Sequence, residues 1–297
     1  MHLLLTGASG NIGSHTLPQL LRAGHRVRCL ALPDATHRRW AARLPAGAQV
    51  AWGDIRNAPA VAAAVQGVEA VVHLAAVIPP ASEERPGYAR EVNVDGTEHL
   101  IAACQAQPEP PALLFTSTFD VHGYTLDKPP PRRVTDPVAA TNAYTEHKIR
   151  CEQLVAGSGL RWCVLRLTDV PILGPRDPHP IMFEIGLENR IEAMHADDAG
   201  LAIANALTTP QVWDRTLFVG GGESCQLTYR EYLTRLLAAM GVPPLPESAF
   251  STAEYATDWV DSGESEALLH YQRHTFDDIA AAVAAGMGWR RRLASAA

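Results

Sequence analysis

Two residues one helical turn apart, Tyr144 and Lys148, have the types and spacing to move a proton. A separation of four on a helix puts both side chains on one face. A free phenol titrates at about 10 and is a poor base at neutral pH, but a cation beside it favours the phenolate. Tyr144 can then take the proton of an alcohol while hydride leaves for a nicotinamide ring, or return it in the reverse direction. Composition singles out the lysine: of 25 basic residues only Lys128 and Lys148 are lysines, the rest being arginines. Arginine, with its higher pKa and wide planar fork, would not fill the same place.

The second chemical feature is Thr6-Gly7-Ala8-Ser9-Gly10-Asn11-Ile12-Gly13. Glycines at 7, 10 and 13 permit a tight turn, close approach of backbone to a pyrophosphate, and close packing of helix on strand. The backbone of Gly7, Ser9, Gly10, Asn11, Ile12 and Gly13 would then face the phosphates, with the positive end of a helix behind them. Three glycines at this spacing are weak evidence alone. Their place, after the first strand and opening the first helix, is what predicts a dinucleotide site.

The elements that must position these residues alternate along the chain. Apolar runs at 3–6, 27–32, 49–52, 70–75, 112–117 and 162–167 predict strands, and 12–23, 59–66, 92–105 and 142–156 predict helices. Alternating units with near-continuous apolar strands predict an α/β fold, a Rossmann-type doubly wound parallel sheet covered on both faces. The rhythm breaks near 170, where Pro171, Gly174, Pro175, Pro178 and Pro180 cluster. A helix at 229–240 and a stop at Pro243-Pro244-Leu245-Pro246 follow. The expected division is a dinucleotide-binding domain over 1–170, with a returning segment near 191–220. A smaller substrate-binding region covers most of 171–297.

Composition excludes several classes. A formal charge of −7 without a basic block argues against nucleic acid. No apolar run has the length of a membrane span, and the apolar start at 2–5 is too short for a signal peptide. The cysteines at 29, 104, 151, 163 and 225 form no CxxC pair and no metal-ligand spacing, which predicts reduced thiols in a cytoplasmic protein.

The N-terminal TGxxGxxG resembles the extended short-chain dehydrogenase/reductase family, which includes sugar-nucleotide epimerases and dehydratases. Further matches follow in order: Gly53-Asp54-Ile55, His73-Leu74-Ala75-Ala76, Asn93-Val94-Asp95-Gly96-Thr97 and Phe115-Thr116-Ser117-Thr118. The YxxxK of Tyr144 to Lys148 comes next, then Leu165-Arg166-Leu167 with Gly174-Pro175, and His195-Ala196-Asp197-Asp198. The resemblance covers nearly the whole chain. It implies that Lys148 also holds the nicotinamide ribose, and that Thr118, with Ser117 the neighbour to exclude, hydrogen-bonds the reacting oxygen. It further implies cofactor contacts from Asp54, Ile55, Leu74, Ala75, Ala76, Asn93, Thr116, Tyr144 and Lys148, with Asp54 near the adenine amino group. The helices over 92–105 and 142–156 resemble the pair that forms dimer contacts in this family, so a homodimer is expected.

Cofactor choice is less marked. The second strand ends in Leu30, Ala31 and Leu32 rather than an acid, the nearest being Asp34. Arg38 and Arg39 beyond it can meet a 2′-phosphate, which favours NADP over NAD by a small margin. Asp169 stands where sugar-nucleotide enzymes commonly carry Asn, and a carboxylate there would repel a diphosphate. His122 replaces the usual Tyr of the fifth-strand motif and is a second candidate substrate contact. His195, Asp197 and Asp198 invite a metal, but no third ligand cluster is evident, and no metal is expected. The expected activity is hydride transfer between nicotinamide and a secondary alcohol or carbonyl of a small polar substrate. A nucleotide-sugar epimerase or dehydratase using the same pair is the alternative. A dinucleotide-sensing regulator is the second, and the Tyr–Lys pair counts against it.

Overall fold

A computed structural model describes residues 1–174 and 180–288. β1 (His2–Thr6) carries Leu3, Leu4 and Leu5, all fully buried, as a central parallel strand must. The period of two divides them between faces. Leu3 and Leu5 pack with Leu17 and Leu20 of α1 (Asn11–Arg22), whereas Leu4 packs with Val61 and Val65 of a helix beyond the third strand.

The chain continues through β2 (Arg26–Ala31), α2 (Ala35–Ala41), β3 (Ala48–Trp52), α3 (Ala58–Val65) and β4 (Ala70–His73). Two short helices, α4 (Ala81–Glu84) and α5 (Pro86–Arg90), lead to α6 (Gly96–Gln105). Next come β5 (Ala112–Thr118), α7 (Ala143–Ala156), β6 (Trp162–Leu167), β7 (Arg190–Glu192), α8 (Ala196–Ala206), β8 (Arg215–Val219) and β9 (Gln226–Thr228). The last helices are α9 (Tyr229–Met240), α10 (Gly263–Leu269) and α11 (Phe276–Met287).

Seven strands form one parallel sheet in the order β3-β2-β1-β4-β5-β6-β8, the doubly wound Rossmann-type arrangement that the alternation predicts. The order reverses between β1 and β4, which leaves a crevice at the carboxyl ends of these strands. Cys104, Cys151 and Val155 of α6 and α7 share the core face of α3. On the opposite face α8 lies against α1 so closely that a Cβ at Gly200 would come within 2.7 Å of the His15 carbonyl oxygen. All five cysteines are free and buried. No helix among the described residues is long and apolar enough to cross a membrane.

Three departures from the sequence expectation have local causes. β4 stops at His73 rather than 75 because the Leu74 and Ala75 amides turn to the Thr6 hydroxyl, at 3.2 and 3.1 Å. The helix expected over 92–105 begins with a π-helical turn at Glu91–Asp95. There the Asn93 carbonyl accepts from the Thr97 hydroxyl (2.5 Å) and the Cys151 thiol (3.1 Å), and such turns gather at functional sites. α2, α8, α10, α11 and β7 to β9 are short or rich in small residues and carry little periodic signal. Pro175 and Pro178 lie outside the described residues.

β7 and β9 form an antiparallel ribbon under α9 and α11, with Ile191, Leu227, Tyr232, Leu236, Phe276 and Ile279 in one apolar cluster. A buried ion group fastens this region to the loop after β5. Asp258, 2% exposed, meets Arg190 Nε at 2.5 Å, Arg132 Nε at 3.3 Å and the Thr125 hydroxyl at 2.8 Å. Arg190 also donates to the carbonyls of Thr125 and Lys128, both at 2.9 Å. Removing one partner strands buried charge, so Asp258→Ala is expected to lower unfolding free energy by about 3–5 kcal/mol. Urea unfolding checks this, and a loss below about 1 kcal/mol would show that the group is not a clamp.

Candidate active site

The glycine turn has the shape the spacing requires. Gly7 has φ +73°, and a Cβ there would lie 2.8 Å from the Ala75 amide nitrogen. A Cβ on Gly13 would sit 2.1 Å from the Gly7 carbonyl oxygen. Gly10 is the N-cap of α1 and supplies no side chain to its first amides, and the first turn holds no acid. The Asn11 side chain turns away and donates to the Val170 carbonyl at 2.8 Å. The turn therefore offers an uncovered helix N-terminus in a cradle that side chains would fill. These are the properties that fit the pyrophosphate of a dinucleotide.

A polar chain supports the floor of the crevice. The Thr6 hydroxyl accepts two amides, so its own proton goes to His73 Nδ1 at 2.7 Å. His73 Nε2 then donates to Thr97 (3.0 Å), which donates to the Asn93 carbonyl. This order requires neutral His73, and burial, reinforced by the Lys148 charge, lowers its pKa to about 3. The role of His73 escapes sequence reasoning because it depends on contacts 24 and 67 residues away.

α7 is placed by its N-terminus. Asn142 and Thr145 form a capping box, and the Glu83 carboxylate accepts from the Ala143 and Tyr144 amides at 3.0 and 3.1 Å. One turn on, buried Lys148 donates from Nζ to the Thr116 carbonyl at 2.7 Å and lies 4.7 Å from the Phe115 ring centroid. Burial lowers the Lys148 pKa to about 8, which leaves it mostly charged at neutral pH. Tyr144 and Lys148 come together as the spacing predicts, with Nζ 5.7 Å from the phenol ring centroid.

The electrostatic expectation for Tyr144 is corrected. Its pKa is raised rather than lowered, first by burial and then by the charge of Asp120, with a hydrogen bond from Thr118 opposing. Lys148 does not outweigh them in the protein alone, and the phenol keeps its proton. The Thr118 hydroxyl accepts from the Asp120 amide at 3.3 Å and lies close to both the phenol and the Asp120 carboxyl. Ser117 Oγ is buried without a hydrogen-bond partner among the described residues.

Asp120 was not singled out by its sequence. Burial pushes its pKa up to about 7, and the charge of Asp169 adds to this. It lines a cleft of about 450 Å³ together with Glu83, Glu84, Tyr124, Glu184 and Tyr255. An acid two residues beyond a strand end was the only available signal.

The remaining expected site residues divide. Leu74, Ala75 and Ala76 are half-buried beside the glycine turn. The Thr116 hydroxyl donates to the His73 carbonyl at 3.3 Å, so this residue meets Lys148 through its own carbonyl. The Asn93 amide clamps the backbone of Val77 at 2.7 and 2.8 Å. Ile55 is buried beneath α6, its Cγ2 2.9 Å from where a Gly96 Cβ would be. Asp54 pairs with Arg56 at 2.7 Å, which holds it below its ordinary pKa, and Asn57 rather than Asp54 caps α3.

Asp169 accepts from the Tyr232 hydroxyl at 2.7 Å. His122 is 4% exposed; its Nε2 accepts from Arg166 at 3.0 Å and its Nδ1 donates to the Pro137 carbonyl at 3.1 Å. Burial, and then the Arg166 charge, lower its pKa to about 4. A ring held at both nitrogens is scaffold, so the expectation that it reaches substrate finds no support in its geometry. His274 comes to His195 and Asp197 from outside the 195–198 segment, a neighbour that the spacing of that segment did not reveal.

Comparison with known proteins places this geometry. Residues 3–210 match the model of the NAD dependent epimerase/dehydratase family. The chain is 33% identical over 183 residues to 3 beta-hydroxysteroid dehydrogenase type 7 of Mus musculus, a match covering 56% of the chain and 49% of that protein. The chain thus spans about half the length of that relative. It is 28% identical over 278 residues to 2-alkyl-3-oxoalkanoate reductase of Stenotrophomonas maltophilia (strain K279a), covering 85% of the chain and 80% of the relative. In fold it resembles UDP-glucuronic acid 4-epimerase from Bacillus cereus, solved with UDP-glucuronic acid and NAD, at TM-score 0.81 and 21% identity over 97% of this chain and 99% of that one. A family match over more than half of the chain, together with the glycine cradle and the Tyr144–Lys148 pair, shows that the chain belongs to the NAD dependent epimerase/dehydratase family.

Proposed function

We propose that this chain is an NAD(P)-dependent dehydrogenase/reductase that interconverts a secondary alcohol and a ketone in a small polar substrate. The observation that carries this reading is the Tyr144–Lys148 pair, its ammonium fixed on the Thr116 carbonyl and 5.7 Å from the phenol ring centroid. A bound nicotinamide supplies the hydride donor or acceptor. The protein supplies the proton path. In reduction, neutral Tyr144 gives its proton to the substrate carbonyl oxygen, and in oxidation it takes the proton of the substrate hydroxyl. Thr118 hydrogen-bonds the reacting oxygen. Lys148 is fixed by the Thr116 carbonyl with its remaining N–H groups available to the nicotinamide ribose. Tyr144→Phe is expected to lower kcat about 10²- to 10⁴-fold while leaving cofactor affinity unchanged. The absorbance of reduced nicotinamide against an alcohol and ketone panel reads it, and unaltered turnover would sink the assignment.

The cleft also supports the redox outcome over a nucleotide-sugar one. Among the described residues its walls include four carboxyl groups and no basic group. Arg132 and Arg190 pair with Asp258. A diphosphate would find repulsion here and no partner among these groups. The curated relatives named a dehydrogenase and a reductase favour the same side. Sugar interconversion without net change in nicotinamide absorbance would return the epimerase reading, and cofactor binding without turnover would return the sensor.

Asp120 sets a pH signature. Above about pH 7 it is ionised and opposes the Tyr144 phenolate; below that it is neutral. Asp120→Asn removes the opposing charge and should shift the rising limb of the oxidation profile, where Tyr144 loses its proton, to lower pH by about one unit. Rate profiles of both proteins decide this, and superimposable rising limbs would separate Asp120 from the proton path.

For the cofactor, the Asp34 carboxylate is engaged as the N-cap of α2 and with His37 Nδ1 at 2.8 Å. Arg38 stands 5.1 Å from the Trp52 ring centroid, at the ends of β2 and β3. This arrangement supports a 2′-phosphate and hence NADP. Arg38→Ala is expected to raise KM for NADPH about tenfold and leave that for NADH unchanged. Equal effects on both would count against NADP.

A further inference from the structure

A group of imidazoles and carboxylates lies outside the proton-transfer site, where α1, α8 and the segment entering α11 meet. Donor atoms from His195, Asp197 and His274, one each, lie within 4.8 Å of one another, the one such grouping among the described residues. His195 is 6% exposed and is the N-cap of α8, with Asp197 in the first turn. His274 precedes Thr275, the N-cap of α11, so nearly eighty residues separate the two histidines in sequence. Their rings stack with centroids 4.0 Å apart and 16° between planes.

The surrounding groups orient these side chains as ligands. Asp198, 2% exposed, takes the His274 Nδ1 proton at 2.6 Å. Its other oxygen accepts from the Arg273 and His274 amides at 3.1 and 3.0 Å. A carboxylate that holds Nδ1–H fixes the tautomer and leaves the Nε2 lone pair for a metal. Asp197 is held in the same way: one oxygen meets His15 Nδ1 at 2.7 Å, and the other lies 3.9 Å from His195 Nδ1. His195 Nδ1 accepts from the Asp197 amide at 3.2 Å, so the lone pair of the neutral ring is on this nitrogen, on the side of the Asp197 carboxylate, and a metal would take it in place of that amide.

We propose that His195, His274 and Asp197 form a site for a divalent transition cation of the zinc class. Two imidazoles and one carboxylate suit such an ion, which takes nitrogen and oxygen ligands at about 2.0–2.2 Å. Tetrahedral ligation needs donor atoms about 3.3 Å apart, so the group closes by about 1.5 Å on binding. Rotation of Asp197 and His274, whose side chains are 47% and 34% exposed, covers that distance. Water completes the shell on the exposed side. The site joins α8, which packs on the sheet, to the start of α11 in the smaller region. Its role is a clasp between the two, distinct from the Tyr144 chemistry.

The test uses the full, untagged chain stripped of metal by chelator. Zn²⁺ is titrated in competition with a chromophoric chelator, and Co²⁺ is titrated while its visible bands are followed. The expected result is one equivalent bound at micromolar concentration or tighter, Co²⁺ bands of a low-coordinate nitrogen and oxygen site, and a higher Tm with metal. His274→Ala and Asp197→Asn should each weaken binding at least about tenfold, since even an orienting partner of a ligand is worth that much. His2→Ala, remote from the group, should not. Asp197→Asn is a surface change and keeps the test open should His274→Ala fail to fold. Absence of binding at tens of micromolar metal, or binding that both variants leave unchanged, would overturn the site.

Discussion

Much of the crevice depends on one buried hydrogen bond, from the Lys148 ammonium to the Thr116 carbonyl. A cation in a protein interior must find oxygen close at hand, because desolvation costs several kcal/mol if it does not. Lys148 finds it at the end of β5, and that fixes the rotation of α7 against the sheet. Tyr144, one turn earlier on the same face, is thereby held with its ring centroid 5.7 Å from the ammonium. The same charge lies over Phe115 and reinforces the neutrality of His73, whose tautomer orders the Thr6–Thr97–Asn93 chain beneath. Substituting arginine would lose all of this, since a planar fork cannot place a single donor on that carbonyl from the same stem.

Burial works in two directions here. It lowers Lys148 toward neutral pH and raises Tyr144 and Asp120, so three groups that titrate far apart in water are drawn into altered order. The protein alone favours a protonated phenol, which suits donation to a carbonyl. A positive nicotinamide ring would favour the phenolate and suit oxidation.

The parts legible in the sequence are those set by local rules. The glycine turn, the leucines of β1 and the four-residue spacing on α7 each repeat a backbone period or a steric need. β6 and α9 have the bounds that their apolar patterns predict, 162–167 and 229–240. What escaped reading depends on distant partners. α8 is rich in alanine and glycine because it must approach α1, and that leaves it a weak periodic signal. His122 looked like a loop residue free to meet a ligand until Arg166 and Pro137 engaged both of its nitrogens. Asp120 and His274 each acquire meaning only from residues on other elements, and Tyr144's raised pKa follows from burial first and from Asp120 second.

Asp258 takes the guanidinium groups of both Arg132 and Arg190. Arg190 braces the loop at 125–128, and among the described residues Glu83, Glu84, Asp120 and Glu184 line the cleft without a cation. Glu83, Glu84 and Glu184 are exposed, so water and salt screen their charges, and half-buried Asp120 keeps the most of its field. Arg132 and Arg190 thus brace the fold, while the Tyr144–Lys148 pair at the end of β5 carries the site.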